Sequence, residues 1–183
     1  MAILKNPVGS QDHIQGNAKA PCTLVEYGDY ECPNCGEAYP LVKQIQEHFG
    51  EQLRFVFRNF PMTNLHANAQ AAAEVAEFAG TKGRFWEMHD LMLENQKRLG
   101  DDLYTELAKK LEIDPAALHE SLEKKTFTKH VRDDFSGGMR SGVNGTPTFF
   151  INDRRHDGPK DFGHIVKAID DAIAAKSSTS AKS

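Results

Sequence analysis

The spacing of apolar positions changes along the chain and divides it into a short series of elements. Thr23-Leu24-Val25-Glu26-Tyr27 is a β-prone run between Pro21 and Gly28 and reads as a strand. From Cys32 to Phe49 the period lengthens. Ala38, Leu41, Val42, Ile45 and Phe49 recur at steps of three and four, which predicts a helix stopped by Gly50. Pro40 lies inside that helix and removes one backbone donor, so a kink is expected there. Leu53, Phe55 and Phe57 then alternate with Arg54 and Val56 as a second strand. From about Thr63 to Gly142 the pattern is helical. Ala69–Ala79 is rich in Ala and Glu; Phe85, Met88, Leu91 and Met92 form a stripe; Asp101 opens a further helix. Asp114-Pro115 is an N-cap followed by a helix-starting proline, and Phe127, Val131, Phe135 and Met139 mark one more helix. Thr148-Phe149-Phe150-Ile151 is a third strand, and Arg154–Gly158 turns into a fourth at an edge. Phe162–Ala175 is a closing helix with Ile165, Val166, Ile169 and Ile173 on one face. The order predicts an α/β layer carrying a helical insertion. The polar tail, Lys176–Ser183, has no anchoring hydrophobe and is expected to lack structure.

Composition narrows the function classes. The 183 residues carry 22 basic and 26 acidic side chains, a net charge of −4, which argues against nucleic acid as a partner. No apolar run approaches the roughly 20 residues that span a bilayer, so no membrane partner is expected. Near Met1 only Ala2-Ile3-Leu4 is apolar, well short of the ~7–15-residue core of a secretory signal. A cytoplasmic location is the resulting expectation, provided that no leader has been replaced at this end.

The candidate chemistry lies at Cys32-Pro33-Asn34-Cys35. Cysteines at i and i+3 on a helix lie on one face, with Cα atoms roughly 5 Å apart, inside the ~4.4–6.8 Å that a disulfide tolerates. The first sulfur would stand at a helix start, where unpaired N–H groups and the dipole favour an anion. A free thiol is only about 3% ionised at pH 7, and helix-start CxxC thiols are lowered to about 3.5–7.5. Cys32 therefore reads as the attacking thiol and Cys35, one turn in, as the resolving one. Two other readings are structural thiols and a metal centre that recruits Cys22, although no His follows with finger-like spacing. Redox chemistry fits the strand-to-helix context better than metal binding, and no cofactor or metal is expected.

The segments Leu24–Cys35 (LVEYGDYECPNC), Pro40, Phe57–Met62 (FRNFPM) and Gly142–Asn152 (GVNGTPTFFIN) together resemble the DsbA-like branch of the thioredoxin superfamily, over about Asp12–Ala175. The resemblance implies a thioredoxin fold (residues 12–62 and 143–175) with a helical subdomain (63–142) inserted between the second and third core strands. It implies thiol–disulfide oxidoreductase activity on protein or low-molecular-weight thiols and disulfides, with an unspecified redox partner. Cys32 matches the nucleophile, Cys35 its partner, Glu26 a buried acid below the disulfide, and Pro40 a helix-kinking proline. Thr146-Pro147 matches a cis-proline loop whose backbone faces the sulfurs and receives an extended substrate. With that loop, Pro33 and Asn34 would meet substrate. Strongly oxidising members carry His where Asn34 stands, so the implied potential falls within the superfamily's span of about −270 to −120 mV, not at its oxidising extreme. Two alternatives share the fold. One is a redox-inactive, chaperone-like module that binds apolar peptides; the other is a glutathione-dependent isomerase, although those members usually carry Ser for the nucleophile. In a reducing cytoplasm such a site would reduce or isomerise disulfides.

Other residues invite simpler readings. The eight His are scattered, no pair has ligand spacing, and His66 and His89 read as packed or solvated side chains. Met62, Met88, Met92 and Met139, with Phe85 and Trp86, read as core of the helical subdomain. Gly137-Gly138, Gly142 and Gly145 are flexible points that could form a hinge.

Overall fold

The computed structural model describes residues 2–180. Its sheet has five strands: β1 (His13–Gly16), β2 (Cys22–Gly28), β3 (Leu53–Asn59), β4 (Thr148–Ile151) and β5 (Arg154–Arg155), in the order β1-β3-β2-β4-β5. β2 and β3 run parallel and the other pairings are antiparallel. Helix α1 (Pro33–Phe49) joins β2 to β3 and runs unbroken through Pro40. Between β3 and β4 lie α2 (Ala69–Gly80), α3 (Phe85–Glu94), α4 (Asp101–Lys110), α5 (Pro115–Glu123) and α6 (Thr128–Arg140). The Asp114 carboxylate accepts from the Ala116 N–H at 3.0 Å and caps α5. Helix α7 (Phe162–Ser180) closes the chain.

Period-two alternation divides the buried strand residues between two cores. Leu24, Phe55, Phe57 and Phe149 join α1, α7 and the inserted helices in one cluster; Val25, Tyr27, Val56 and Phe150 pack on the other face with Phe60 and Val143. Side chains of the insertion, among them Val75, Met88, Leu103 and Leu118, belong to the same cluster as the strands, so the insertion and the sheet share one core. Because both faces are covered, even Glu26 and Arg58 on β2 and β3 are buried.

Three expectations need correction. β1 was not anticipated: its four residues are too few for periodicity to register, and it is held by pairing with β3. The stretch expected to lack structure begins as helix, since α7 continues through Lys176 to Ser180. Ser177 Oγ and Ser178 Oγ donate to the carbonyls of Ile173 and Ala174, and Lys176 Nζ donates to the Pro21 carbonyl. Residues 181–183 lie outside the described residues. Gly137 and Gly138 are not a hinge but part of α6. A Cβ on Gly138 would meet the Phe60 and Tyr27 rings at 2.8–3.0 Å, so glycine there admits the sheet's outer core against the helix.

Candidate active site

Where β2 ends, the chain turns through Asp29-Tyr30-Glu31 and enters α1 with Cys32 as its N-cap and Pro33 in the first turn. Cys35 and Gly36 both donate their N–H to the Cys32 carbonyl, which winds the first turn and brings the two side chains together. All three cysteines are free thiols. Cys32 is 6% exposed and Cys35 only 1%, so an approaching molecule meets Cys32 first. Pro33 and Asn34 are exposed beside it.

The two sulfurs are electrostatically unequal. Cys32 is held at about pKa 5. The hydrogen bond from the Cys35 thiol contributes most and outweighs burial; the Thr146 side chain and the N–H groups of Cys35 and Asn34 add to it. Cys35 is pushed well above the usual thiol range by burial first, then by the bond it gives to Cys32 and by the Glu26 charge. The pair thus holds its proton on the inner sulfur and presents the outer one as thiolate at neutral pH.

Three elements close around this pair. The Thr146–Pro147 peptide bond is cis, and the Thr146 carbonyl lies 3.4 Å from Cys32 Sγ, accepting from it when the thiol is protonated. Lys160, on the loop before α7, donates Nζ to the Pro147 carbonyl. Glu26 is buried on the β2 face that carries Leu24. Its pKa is pushed up to about 8, chiefly by burial, with the Lys160 charge opposing and the Cys32 charge adding. Glu26 is therefore shielded from solvent, and its charge is coupled to both Cys32 and Cys35.

Asp29 is a hub that sequence reasoning missed. Its N–H donates to Cys35 Sγ at 3.4 Å, and its carbonyl accepts from the Cys32 N–H. Its carboxylate accepts from the N–H groups of Glu31 and Met62 at 2.8 Å each and pairs with His66 Nδ1 at 2.7 Å. Burial opposes charge on His66, but Asp29, Cys32 and Glu31 outweigh it and raise its pKa above the usual imidazole value. An imidazole on the loop after β3, paired with Asp29, is thus coupled to the Cys32 charge, although the position between the cysteines is Asn34. From the insertion, Gln96 donates Nε2 to the carbonyls of Tyr30 and Cys32 at 2.8 Å each, and its amide lies so close to Gly36 that a Cβ there would collide. Neither contact has a sequence signal, because each joins residues more than 30 positions apart.

Other candidates resolve differently. His89 is buried among Phe57, Phe85 and Trp86, bonds Tyr30 Oη at 3.0 Å, and is held at about pKa 3 by burial, so it is a neutral core residue. Met88 and Met92 are core, as expected; Met62 packs half-buried on the sheet's outer core, and Met139 lies outside both clusters. Met139 is 55% exposed, and both line an apolar cavity of about 440 Å³ with Phe60, Pro61, Leu65 and Phe135. Met62 reaches the thiol site, where its Sδ accepts from Thr146 Oγ1. Cys22 cannot join the pair in a metal centre. It opens β2, whereas Cys32 follows the far end of that seven-residue strand, about 20 Å away. Burial raises the Cys22 thiol to about 11. Among the described residues, the side chains grouped closely enough to hold a metal ion are His13, Glu77 and His130, with no cysteine among them. No described helix is long and apolar enough to cross a membrane.

A thioredoxin layer with this helical insertion and a CxxC helix start facing a cis-proline loop is the architecture of the DsbA-like branch of the superfamily. A family model described as Thioredoxin matches residues 9–171, and the chain belongs to that family. It superposes on oxidised BdbD from Bacillus subtilis with a TM-score of 0.86 at 27% identity, covering 94% of this chain and 98% of that one. Wolbachia pipientis α-DsbA1 shares the fold at 18% identity, with a TM-score of 0.83 over 94% and 96% of the two chains. Among curated proteins it is 42% identical over 164 residues to the Na(+)/H(+) antiporter NhaA 1 of Salinispora arenicola, covering 90% of this chain and 25% of that protein. It is 37% identical to a NhaA 1 of Mycobacterium sp. strain KMS, covering 91% and 28%. The chain thus spans about a quarter of the length of the curated relatives it matches.

Proposed function

We propose that this chain is a thiol–disulfide oxidoreductase that exchanges disulfides with protein or low-molecular-weight thiols through Cys32 and Cys35. The observation that carries the reading is the inequality of the two thiols: an outer, acidic Cys32 and a sealed, proton-holding Cys35. In the oxidising direction a substrate thiolate attacks Cys32 Sγ of the closed pair and forms a mixed disulfide. Cys35 leaves as thiolate and takes a proton from Glu26, whose elevated pKa keeps one available at neutral pH. A second substrate thiolate then attacks the substrate sulfur of the mixed disulfide. The substrate disulfide forms and Cys32 leaves as thiolate. Two substrate thiols have lost two electrons and the Cys pair has gained them; the reverse sequence reduces a disulfide.

The remaining residues have supporting roles in this reading. Asp29 fixes the Cys35 sulfur through its N–H, and the His66 imidazole, whose pKa Asp29 and Cys32 raise, couples electrostatically to Cys32, so His66→Gln should raise the Cys32 titration midpoint. Thr146, Pro147, Pro33 and Asn34 border the outer sulfur and receive the substrate chain. The apolar cleft that runs from Met62 to Met139 favours protein substrates over glutathione alone. In a reducing cytoplasm such a site would run as a reductase or isomerase; outside it, as an oxidant.

The test is a trap. Cys35→Ala, mixed with a disulfide-bonded peptide, should accumulate a mixed disulfide at Cys32, and wild type should release a reduced peptide. A Cys35→Ala protein that forms no adduct, beside a wild type that never equilibrates with glutathione, would refute the proposal. Apolar-peptide binding that persists in the double Cys→Ala variant of such an inactive protein would favour the chaperone-like alternative.

A further inference from the structure

A second polar cluster lies outside the thiol site, between the edge strand β1 and the insertion. His13 on β1 places Nε2 2.8 Å from Glu77 Oε2 on α2, and His130 on α6 places Nε2 3.5 Å from the same oxygen. All three ligand-capable atoms lie within 4.8 Å of one another. Asp134, one turn after His130, has Oδ2 4.0 Å from His130 Nε2. The surroundings resemble an outer shell. Asn59 donates Nδ2 to Glu77 Oε1 at 2.7 Å and to Asp134 Oδ2 at 3.3 Å, while its N–H holds Asp134 Oδ2 at 3.0 Å. The His13 ring stacks on Phe85 with centroids 3.5 Å apart, which fixes the imidazole plane.

Two features call for a cation here. Glu77 is only 5% exposed and Asp134 is half-buried, yet among the described residues neither has a lysine or arginine within ion-pair distance; nearby Arg58 is committed to Asp12. Buried carboxylate charge without a fixed counterion is costly. In addition, Asn59 is 1% exposed and its Oδ1 has no hydrogen-bond partner, although the same carboxamide bridges both carboxylates. A cavity of about 410 Å³ bordered by His130, Asp134, Asp133 and Asp12 provides an entry path.

We propose that His13, Glu77 and His130, with Asp134 as fourth ligand, form a zinc site that ties β1 to α2 and α6. Two imidazoles favour zinc over an oxygen-seeking ion such as calcium. Tetrahedral zinc with bonds of about 2.0–2.1 Å sets neighbouring ligand atoms about 3.3 Å apart, close to the 2.8 and 3.5 Å that separate Glu77 Oε2 from the two imidazoles; Asp134, 4.0 Å from His130, would swing inward to bind.

The experiment uses the full chain with Cys32 and Cys35 oxidised, so that thiolates cannot hold metal. Zinc is added and excess removed, metal content is measured, and affinity is read by calorimetric titration. The expected result is one zinc per chain, with affinity at least about 100-fold weaker in His130→Ala and in His13→Gln. His130 is half-exposed, so its variant should keep the wild-type circular dichroism. Zinc should raise the wild-type unfolding midpoint and not that of His130→Ala. Absence of stoichiometric zinc in the oxidised wild type, equal affinity in a folded His130→Ala protein, or an equal stabilisation by calcium would each overturn the proposal. None of these outcomes depends on thiol exchange.

Discussion

Replacing Cys35 by alanine removes the thiol whose hydrogen bond contributes most to the acidity of Cys32. A hydrogen bond to a charged group is worth about 1.5–3 kcal/mol, and one pKa unit about 1.4 kcal/mol, so the Cys32 midpoint should rise by about 1–2 units from its value of about 5. The consequence for rate has two opposing parts. At pH 5 the wild type is about half thiolate, and a variant with a midpoint 1.5 units higher is about 3% thiolate. Intrinsic nucleophilicity, however, rises with pKa with a slope of about 0.4–0.5, which makes each variant thiolate roughly fivefold faster. The pH–rate profiles should therefore cross. In attack on a small uncharged disulfide, Cys35→Ala should be about threefold slower than wild type at pH 5 and about four- to fivefold faster at pH 8. Single-turnover exchange across that range reads both limbs. An unmoved midpoint in Cys35→Ala would show that Cys35 does not hold the thiolate and would refute the reasoning.

Glu26→Gln should leave the first attack by Cys32 intact but slow the step in which Cys35 loses its proton and resolves the mixed disulfide, by about 100-fold; stopped-flow mixing separates the two phases, and an equal effect on both would contradict the relay. The same substitution should stabilise the fold relative to wild type by about 1.4 kcal/mol per pH unit between about 4.5 and 8. The raised Glu26 pKa means that wild-type stability present below about 4.5 is lost as pH rises through about 8. The Cys32 shift has the opposite sign. Its folded pKa lies below the unfolded value near 9, so the reduced chain carries stability that is present above that value and lost as pH falls through about 5. Denaturant titrations of reduced against oxidised protein should diverge in favour of the reduced form from pH 5 to 8, and parallel profiles would contradict the acidic thiolate. Cys22, buried and at about 11, and the sealed Cys35 should both resist alkylation in the native reduced chain, giving one fast thiol, Cys32, and the other two on unfolding; three fast thiols would count against the fold.

Much of the α/β order could be read directly because strong periodicities mark it. Leu53, Phe55 and Phe57 alternate on a strand; Ala38, Val42, Ile45 and Phe49 follow a helix; Asp114-Pro115 starts α5. β1 escaped notice because four residues carry little period and its pairing with β3 joins segments some 40 residues apart. The cysteines were legible as a local motif, and Glu26 only through the resemblance that the surrounding segment carries. Asp29, His66 and Gln96 were not, since each acts through contacts between distant segments and none has a distinctive spacing. His66 and His89 look alike in sequence; the carboxylate of Asp29 raises the pKa of the first, while burial among aromatic rings lowers that of the second. Met139 was read as core because methionine on a helical stripe usually is; here it is exposed and borders a cleft with the half-buried Met62.

The most direct test of the central claim is the reduction potential of the Cys32–Cys35 couple, measured by equilibrating the chain with reduced and oxidised glutathione and counting free thiols. An acidic, hydrogen-bonded Cys32 stabilises the reduced form and predicts a potential above the thioredoxin value of about −270 mV and, without an imidazole between the cysteines, below the DsbA value of about −120 mV. A couple that fails to equilibrate, or one at or below about −270 mV, would contradict the account.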